Sequence, residues 1–256
     1  MKRIMIFLLL GILFASLAWA EGFTTARDVI EKSYEFYRQG AEVEFEKLRL
    51  EVKYEDGYSV NKELERWIKY NPKKEDKVFI NFTAPEMDKG LKLLVHRRLS
   101  QSDLIWLKMP SMHRSRRISG QDEGKYFAET DLTYRDTAQL VGENTSDYKY
   151  SFVDSGDSKW VIEALPKPGI TAVYDKRVFF LNENYVIEKV LYYRHGQLGK
   201  IQLNKDIVRE DNGCWRSDSV VFINEFYSRV TNIKIPERKF TGFTNPPSFS
   251  RRDLRR

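Results

Sequence analysis

Phe45-Glu46-Lys47-Leu48-Arg49-Leu50-Glu51-Val52-Lys53-Tyr54 is the stretch that decides the fold. Leu48, Leu50, Val52 and Tyr54 alternate with Lys47, Arg49, Glu51 and Lys53, a period of two that an extended chain turns into one dry face and one wet face. The alternation returns in Val78 to Phe82, Leu91 to His96, Leu104 to Met109, Trp160 to Leu165, Val186 to Tyr193 and Val220 to Tyr227. Turn signals divide these runs at Glu55-Asp56-Gly57, Asn71-Pro72, Asp154-Ser155-Gly156, His195-Gly196 and Asp211-Asn212-Gly213. About ten antiparallel strands joined by hairpins follow.

Upstream of the deciding stretch the period is helical. Between Thr25 and Gln39, Ala26, Val29, Ile30, Tyr34 and Tyr37 recur on one side, Thr25 with Asp28 makes a capping box, and Gly40 suits the left-handed position after the last turn. A second, shorter helix is expected over Thr133 to Val141, closing at Gly142. No Gly/Ser-rich or Pro-rich linker and no repeat of fixed period divides the chain, so the expectation is a mainly β, β-rich α+β domain over 21–256. Two helices are too few to cover a flat sheet of that size, so the sheet should curl around them.

The first twenty residues read differently. Lys2 and Arg3 precede the apolar run Ile4 to Leu17, which ends in Ala18-Trp19-Ala20, the pattern of a secretory signal cleaved after Ala20. A retained anchor would ask for about 20 apolar residues, more than this run supplies. The six net positive charges of the 256-residue chain fall to about four once Lys2 and Arg3 leave, too even a balance for a polyanion binder. With 41% hydrophobic and 31% charged residues and a mean hydropathy of -0.54, the rest is ordinary globular protein. The single cysteine, Cys214, leaves no internal disulfide and no lipid-accepting Cys after the apolar run. A soluble exported protein, periplasmic where the cell has a periplasm, is the expectation.

Chemistry-bearing patterns are sparse. His96, His113 and His195 lie outside metal-ligand spacing of one another and of Cys214, and HExxH, CxxC, GxSxG and P-loop patterns do not occur. Carboxylate neighbours such as Asp122-Glu123 and Glu42/Glu44 arise by chance among 37 acidic residues. Cys214 beside Trp215 reads as a small buried hydrophobe. No metal, cofactor or enzymatic activity is therefore expected, and export argues against nucleic acid. The strongest charge feature is His113-Arg114-Ser115-Arg116-Arg117, echoed by His96-Arg97-Arg98 and by Arg251 to Arg256. Two readings stand: contact with anionic lipid head groups or an acidic protein surface, and a solvated sheet face.

Phe82-Thr83-Ala84-Pro85 with Gly90, Asp103-Leu104-Ile105-Trp106-Leu107-Lys108-Met109-Pro110 followed by Arg114 and Arg116-Arg117-Ile118-Ser119, and Phe127-Ala128-Glu129-Thr130-Asp131-Leu132-Thr133-Tyr134-Arg135-Asp136 succeed one another in this order. Together with Tyr192 to Lys200 and Trp215, they resemble the outer-membrane lipoprotein-sorting, LolA-like family over roughly residues 23 to 256. Glu129 and Thr130 stand where that family commonly has Gly and Ser, and His195 where it has Asp. The resemblance implies an incomplete antiparallel β-barrel closed by helices, whose apolar hollow holds acyl chains.

On that footing the expected function is a non-enzymatic periplasmic carrier or chaperone for lipid or for the acyl chains of lipoproteins, sorting them towards the outer membrane. It would serve an inner-membrane exporter, of the RND type, and touch the membrane peripherally. The alternative is a docking subunit of an envelope transporter complex that carries no cargo. Expected hollow or lid residues are Val29, Ile30, Tyr34, Tyr37, Phe79, Leu93, Trp106, Leu107 and Leu132. Arg114, Arg116, Arg117 and Asp131 are expected to pair with one another or to contact a head group or partner.

Overall fold

The computed structural model describes residues 25–71, 73, 75–99, 101–139, 142–153 and 159–255. The expected leader at 1–20, the turn at 154–156 and the end of the second helix at 140–141 lie outside the described residues. Helix α1 (Ala26–Arg38) starts where the sequence places it. The Asp28 backbone N–H donates to Thr25 Oγ1 at 3.2 Å, and the Thr25 N–H donates to Asp28 Oδ2 at 2.9 Å, so two orphan donors of the first turn are satisfied reciprocally. Gly40 follows at φ +66°, and a Cβ there would sit 2.8 Å from the Asn212 carbonyl oxygen, so the position excludes any larger residue on two counts.

The strands then run β1 (Val43–Lys53), β2 (Ser59–Lys69), β3 (Lys77–Ala84), β4 (Lys92–His96), β5 (Leu104–Lys108) and β6 (Arg116–Ile118). After the short helix α2 (Tyr134–Gln139) come β7 (Tyr148–Phe152), β8 (Trp160–Pro166), β9 (Lys176–Leu181), β10 (Ile187–Arg194), β11 (Gln197–Arg209), β12 (Trp215–Asn224) and β13 (Arg229–Lys239). The described residues form thirteen strands rather than about ten. β2 escapes a simple alternation count because its inward side reads Lys62, Leu64, Arg66, Ile68, with two cations buried among apolar neighbours. The run expected at Val220 to Tyr227 is the second half of β12, and Phe226 and Tyr227 belong to the following turn.

All thirteen strands form one antiparallel sheet in the order β6-β5-β4-β3-β2-β1-β13-β12-β11-β10-β9-β8-β7. Each half is a meander, and the pairing of β1 with β13 joins the halves, with Val52 opposite Thr231. The sheet is open, ending at β6 and β7. β3 and β9 stand seven places apart in it, about 34 Å if it were flat at about 4.8 Å per strand, yet both line a single cavity, so the sheet curls.

Its concave face carries a core of Leu48, Leu64, Ile80, Leu93, Phe222 and Ile233 with α2, and a second cluster in which Val29 and Ile30 of α1 meet Ile162, Phe179, Leu181 and Val190. The convex face of β3 to β5 is not left wet. Residues 240–255 return across it, where Phe249 and Leu254 pack on Phe79 and Leu94 beside Trp67 and Trp106, and His96 Nε2 donates to the Phe249 carbonyl at 2.8 Å. Burial lowers the His96 pKa, partly offset by that carbonyl, which fits a neutral ring acting as donor. Among the described residues no helix is long and apolar enough to cross a membrane.

Candidate functional site

A cavity of about 210 Å³ lies between α1 and the concave face. Its middle is apolar: Leu50, Phe82, Phe179, Val190, Val220 and Phe222 come from five different strands, each at the inward parity of its strand. Leu132 reaches in from the loop before α2, and Ser33, Tyr34, Phe36 and Tyr37 close the cavity from the second half of α1. The helix thus divides its labour: its first turns are fixed on β8 to β10, while its later turns form a wall. Gly142, at φ +106°, lets the Tyr34 ring approach so closely that an added Cβ would lie 3.1 Å from it.

Three buried polar networks frame the apolar middle. At one end Arg216 is clamped bidentately to Glu44 (2.8 Å and 2.8 Å), stacks 3.8 Å from the Tyr37 ring centroid and donates to the Tyr37 carbonyl at 2.6 Å, which ties the C-terminal turn of α1 to β12. Beside it Glu46 is held by Arg66 and Arg238. Burial pushes the Glu46 carboxyl up, but the two guanidiniums outweigh it and hold its pKa at about 2. At the side, Glu143 accepts from Arg177 at 2.5 Å and from the Tyr150 hydroxyl at 2.7 Å, close to Tyr34. Burial and the Glu143 charge both push the Tyr34 phenol well up, so it stays protonated as a donor.

The third network lies under the loop before α2. Lys200 Nζ, fully enclosed, donates to Asp136 Oδ2 at 2.5 Å and to the Tyr174 hydroxyl at 2.7 Å; burial lowers its pKa, opposed by Asp136. Asp136 also accepts from the Thr133 backbone N–H while its own N–H donates to Thr133 Oγ1, the capping box of α2. Next to it Asp131, 0% exposed, accepts from Arg229 Nε at 2.8 Å, Asn224 Nδ2 at 2.8 Å and Thr231 Oγ1 at 2.6 Å. The turn carrying it keeps the left-handed backbone expected of glycine although the residues are Ala128 (φ +52°) and Glu129 (φ +57°). The quoted segments around Asp131 and around Lys200 therefore meet in space.

The expected site residues separate accordingly. Tyr34, Tyr37 and Leu132 line the cavity. Val29 and Ile30 are fully buried beneath it, and Leu93 and Leu107 lie in the concave core without reaching the cavity wall. Phe79 and Trp106 are a correction: both point to the convex face under the C-terminal segment, the parity opposite to Ile80 and Leu107. A second correction concerns Asp131. Its partner is Arg229, 98 residues away, whereas Arg114, Arg116 and Arg117 are exposed on and before the edge strand β6. Missed by the sequence reading are Phe82, Phe179, Val190 and Phe222 and the cations Arg177, Arg216 and Arg238. Strand parity finds the apolar four only once the concave side of each strand is known.

Residues 74–256 match the model of a family described as an uncharacterized protein. No curated protein matches the chain. Among solved structures it is similar to an outer membrane lipoprotein-sorting protein domain from Vibrio parahaemolyticus, at TM-score 0.81 and 19% identity over 90% of this chain and 98% of that one. A DUF1329 family protein from Desulfovibrio piger superposes at TM-score 0.81 with 20% identity, covering 90% and 97% of the two chains. A LolA superfamily protein from Nitrosomonas europaea gives TM-score 0.67 with 17% identity, covering 86% and 95%.

Proposed function

We propose, from the premise that this chain belongs to the family of uncharacterized proteins matched over residues 74–256 and has the LolA-like fold, that it is a non-enzymatic carrier of acyl chains. The observation that carries this reading is the cavity itself: an apolar middle walled on one side by a helix rather than by the sheet. Acyl chains need a dry hollow with little polar specificity, and the frame of charges around this one is already paired internally, leaving no ion to be satisfied by a ligand. At about 210 Å³ the space exceeds the ~150 Å³ that holds a benzene and falls short of the ~300 Å³ of a drug-sized site. A full acyl chain therefore displaces the wall formed by Tyr34 and Tyr37, exchanging helix contacts for lipid contacts.

The lipoprotein-sorting description of the Vibrio relative supports a lipoprotein or lipid cargo and a periplasmic site of action after removal of residues 1–20. An inner-membrane exporter of the RND type is the proposed donor. Native mass spectrometry of the chain from Glu21, purified from its own envelope without detergent, tests the reading. A discrete added mass that extracts as an acyl lipid is expected; a clean apo mass with no uptake on incubation with lipid overturns it in favour of a docking subunit without cargo.

A further inference from the structure

Exposed apolar side chains are not spread evenly over this molecule. Eleven large apolar or aromatic residues stand exposed among the described residues, and seven of them sit on loops at one end of the sheet. The strand order fixes which loops those are. The turns β1–β2, β3–β4, β5–β6, β8–β9 and β12–β13 all open at the end where Lys53 faces Ser59 and Asn224 faces Arg229. They present Tyr58 (62% exposed), Met87 (79%), Met109 and Met112, Ile170, and the pair Phe226 and Tyr227. Near the opposite end only Leu99, Phe152 and Val153 are comparably exposed among the described residues.

The β5–β6 hairpin adds charge to this pattern. From Leu104 to Gln121 the chain has Lys108, His113, Arg114, Arg116 and Arg117 and not one Asp or Glu. Its tip is a turn closed by the Met112 N–H donating to the Met109 carbonyl at 3.1 Å, so two thioethers lead and the exposed arginines stand behind them. Elsewhere on this end Lys89 pairs with Glu86 and Lys125 with Asp122. Tyr227 is held in place by Tyr126, at 5.4 Å between ring centroids, and by Arg229.

We infer that this end of the sheet is a membrane-docking rim, led by the Met109–Arg117 hairpin, for a bilayer with anionic phospholipid head groups. Several separate loop tips bearing Met, Tyr and Phe match a flat, deformable, interfacial surface rather than the complementary relief of one protein partner. Arginines behind the thioethers are placed to reach head-group phosphates as the tips enter. The inference stands on surface residues only and does not require that the hollow carry lipid.

Co-sedimentation of the chain with extruded vesicles tests it, comparing phosphatidylethanolamine with phosphatidylglycerol against phosphatidylcholine alone. Binding to the anionic vesicles that weakens with salt is expected, falling about fivefold for each arginine removed in Arg114→Gln and Arg116→Gln. The double change Met109→Asp with Met112→Asp should abolish it, while Phe152→Asp at the opposite end leaves it unchanged. No binding to anionic vesicles, equal binding to phosphatidylcholine, or hairpin variants that bind like the parent would overturn the inference. Circular dichroism confirms that each variant is folded, and native mass spectrometry of the same variants reads occupancy of the hollow separately, so failure of the rim and failure of the carrier reading give different results.

Discussion

Replacing Asp131 by Asn separates the ion pairing that the fold builds from the pairing that proximity in sequence suggests. Asp131 is a fully buried carboxylate with three donors on it, two of them from side chains of β12 and β13 and one the Arg229 guanidinium. Arg229 is itself only 11% exposed at its side chain, so removing the carboxylate charge leaves a nearly buried cation without its counter-ion. Breaking one partner of such a pair costs about 3–5 kcal/mol. Against a total stability on the order of 5–15 kcal/mol, and at about 2–4 °C per kcal/mol for a chain of this size, the midpoint should fall by roughly 6–20 °C. Thermal unfolding followed by far-ultraviolet circular dichroism reads this directly. A double-mutant cycle sharpens it: Asp131→Asn and Arg229→Met should be strongly non-additive, whereas Asp131→Asn and Arg117→Ala should add, because Arg117 is exposed on the edge strand. A cost below about 1 kcal/mol for Asp131→Asn, or coupling to Arg117 instead of Arg229, would refute the reasoning.

Three further outcomes are expected. Val220→Trp, which places bulk into the cavity from a half-buried wall position, should abolish retention of co-purified lipid in native mass spectrometry while costing no more than about 1–3 kcal/mol in urea unfolding. Glu46 is a depressed acid, so its contribution is present above its unfolded pKa near 4.5 and is lost as pH falls towards about 2. Across that window the unfolding free energy should decline by about 3 kcal/mol on its account, and Glu46→Gln should flatten the decline in a pH series of urea melts. Thr25→Ala removes half of the capping box on α1 and should cost about 1 kcal/mol, with faster amide exchange confined to the first turns of the helix.

What the residues announce and what they hide follows from burial on one face or two. β1 is legible because Lys47, Arg49, Glu51 and Lys53 stay wet opposite Leu48, Leu50 and Val52. β3 and β4 carry three consecutive buried residues each, since the C-terminal segment roofs their outer face, so no polar row marks which side is concave and Phe79 is assigned to the wrong one. The capping box at Thr25 is local chemistry and is read without error. The Asp131–Arg229 pair is 98 residues apart and has no local trace, while three arginines closer in sequence offer themselves as decoys. Lys62, Arg66 and Lys200 are buried cations whose inward direction only their distant acids explain.

The seam between β1 and β13 carries a consequence for how the molecule comes into being. Val52 and Thr231 are neighbours across it although nearly the whole domain separates them along the chain. During synthesis the N-terminal meander has its β1 edge bare until the last strand arrives, and β12 waits with the matching edge. High contact order makes the closing step slow, and two unpaired edges of about ten residues are templates for intermolecular pairing in the meantime. A chain cut before Arg229 would lose that bridge and leave two aggregation-prone half-sheets, so proteolytic quality control has a well-defined incomplete product to recognise.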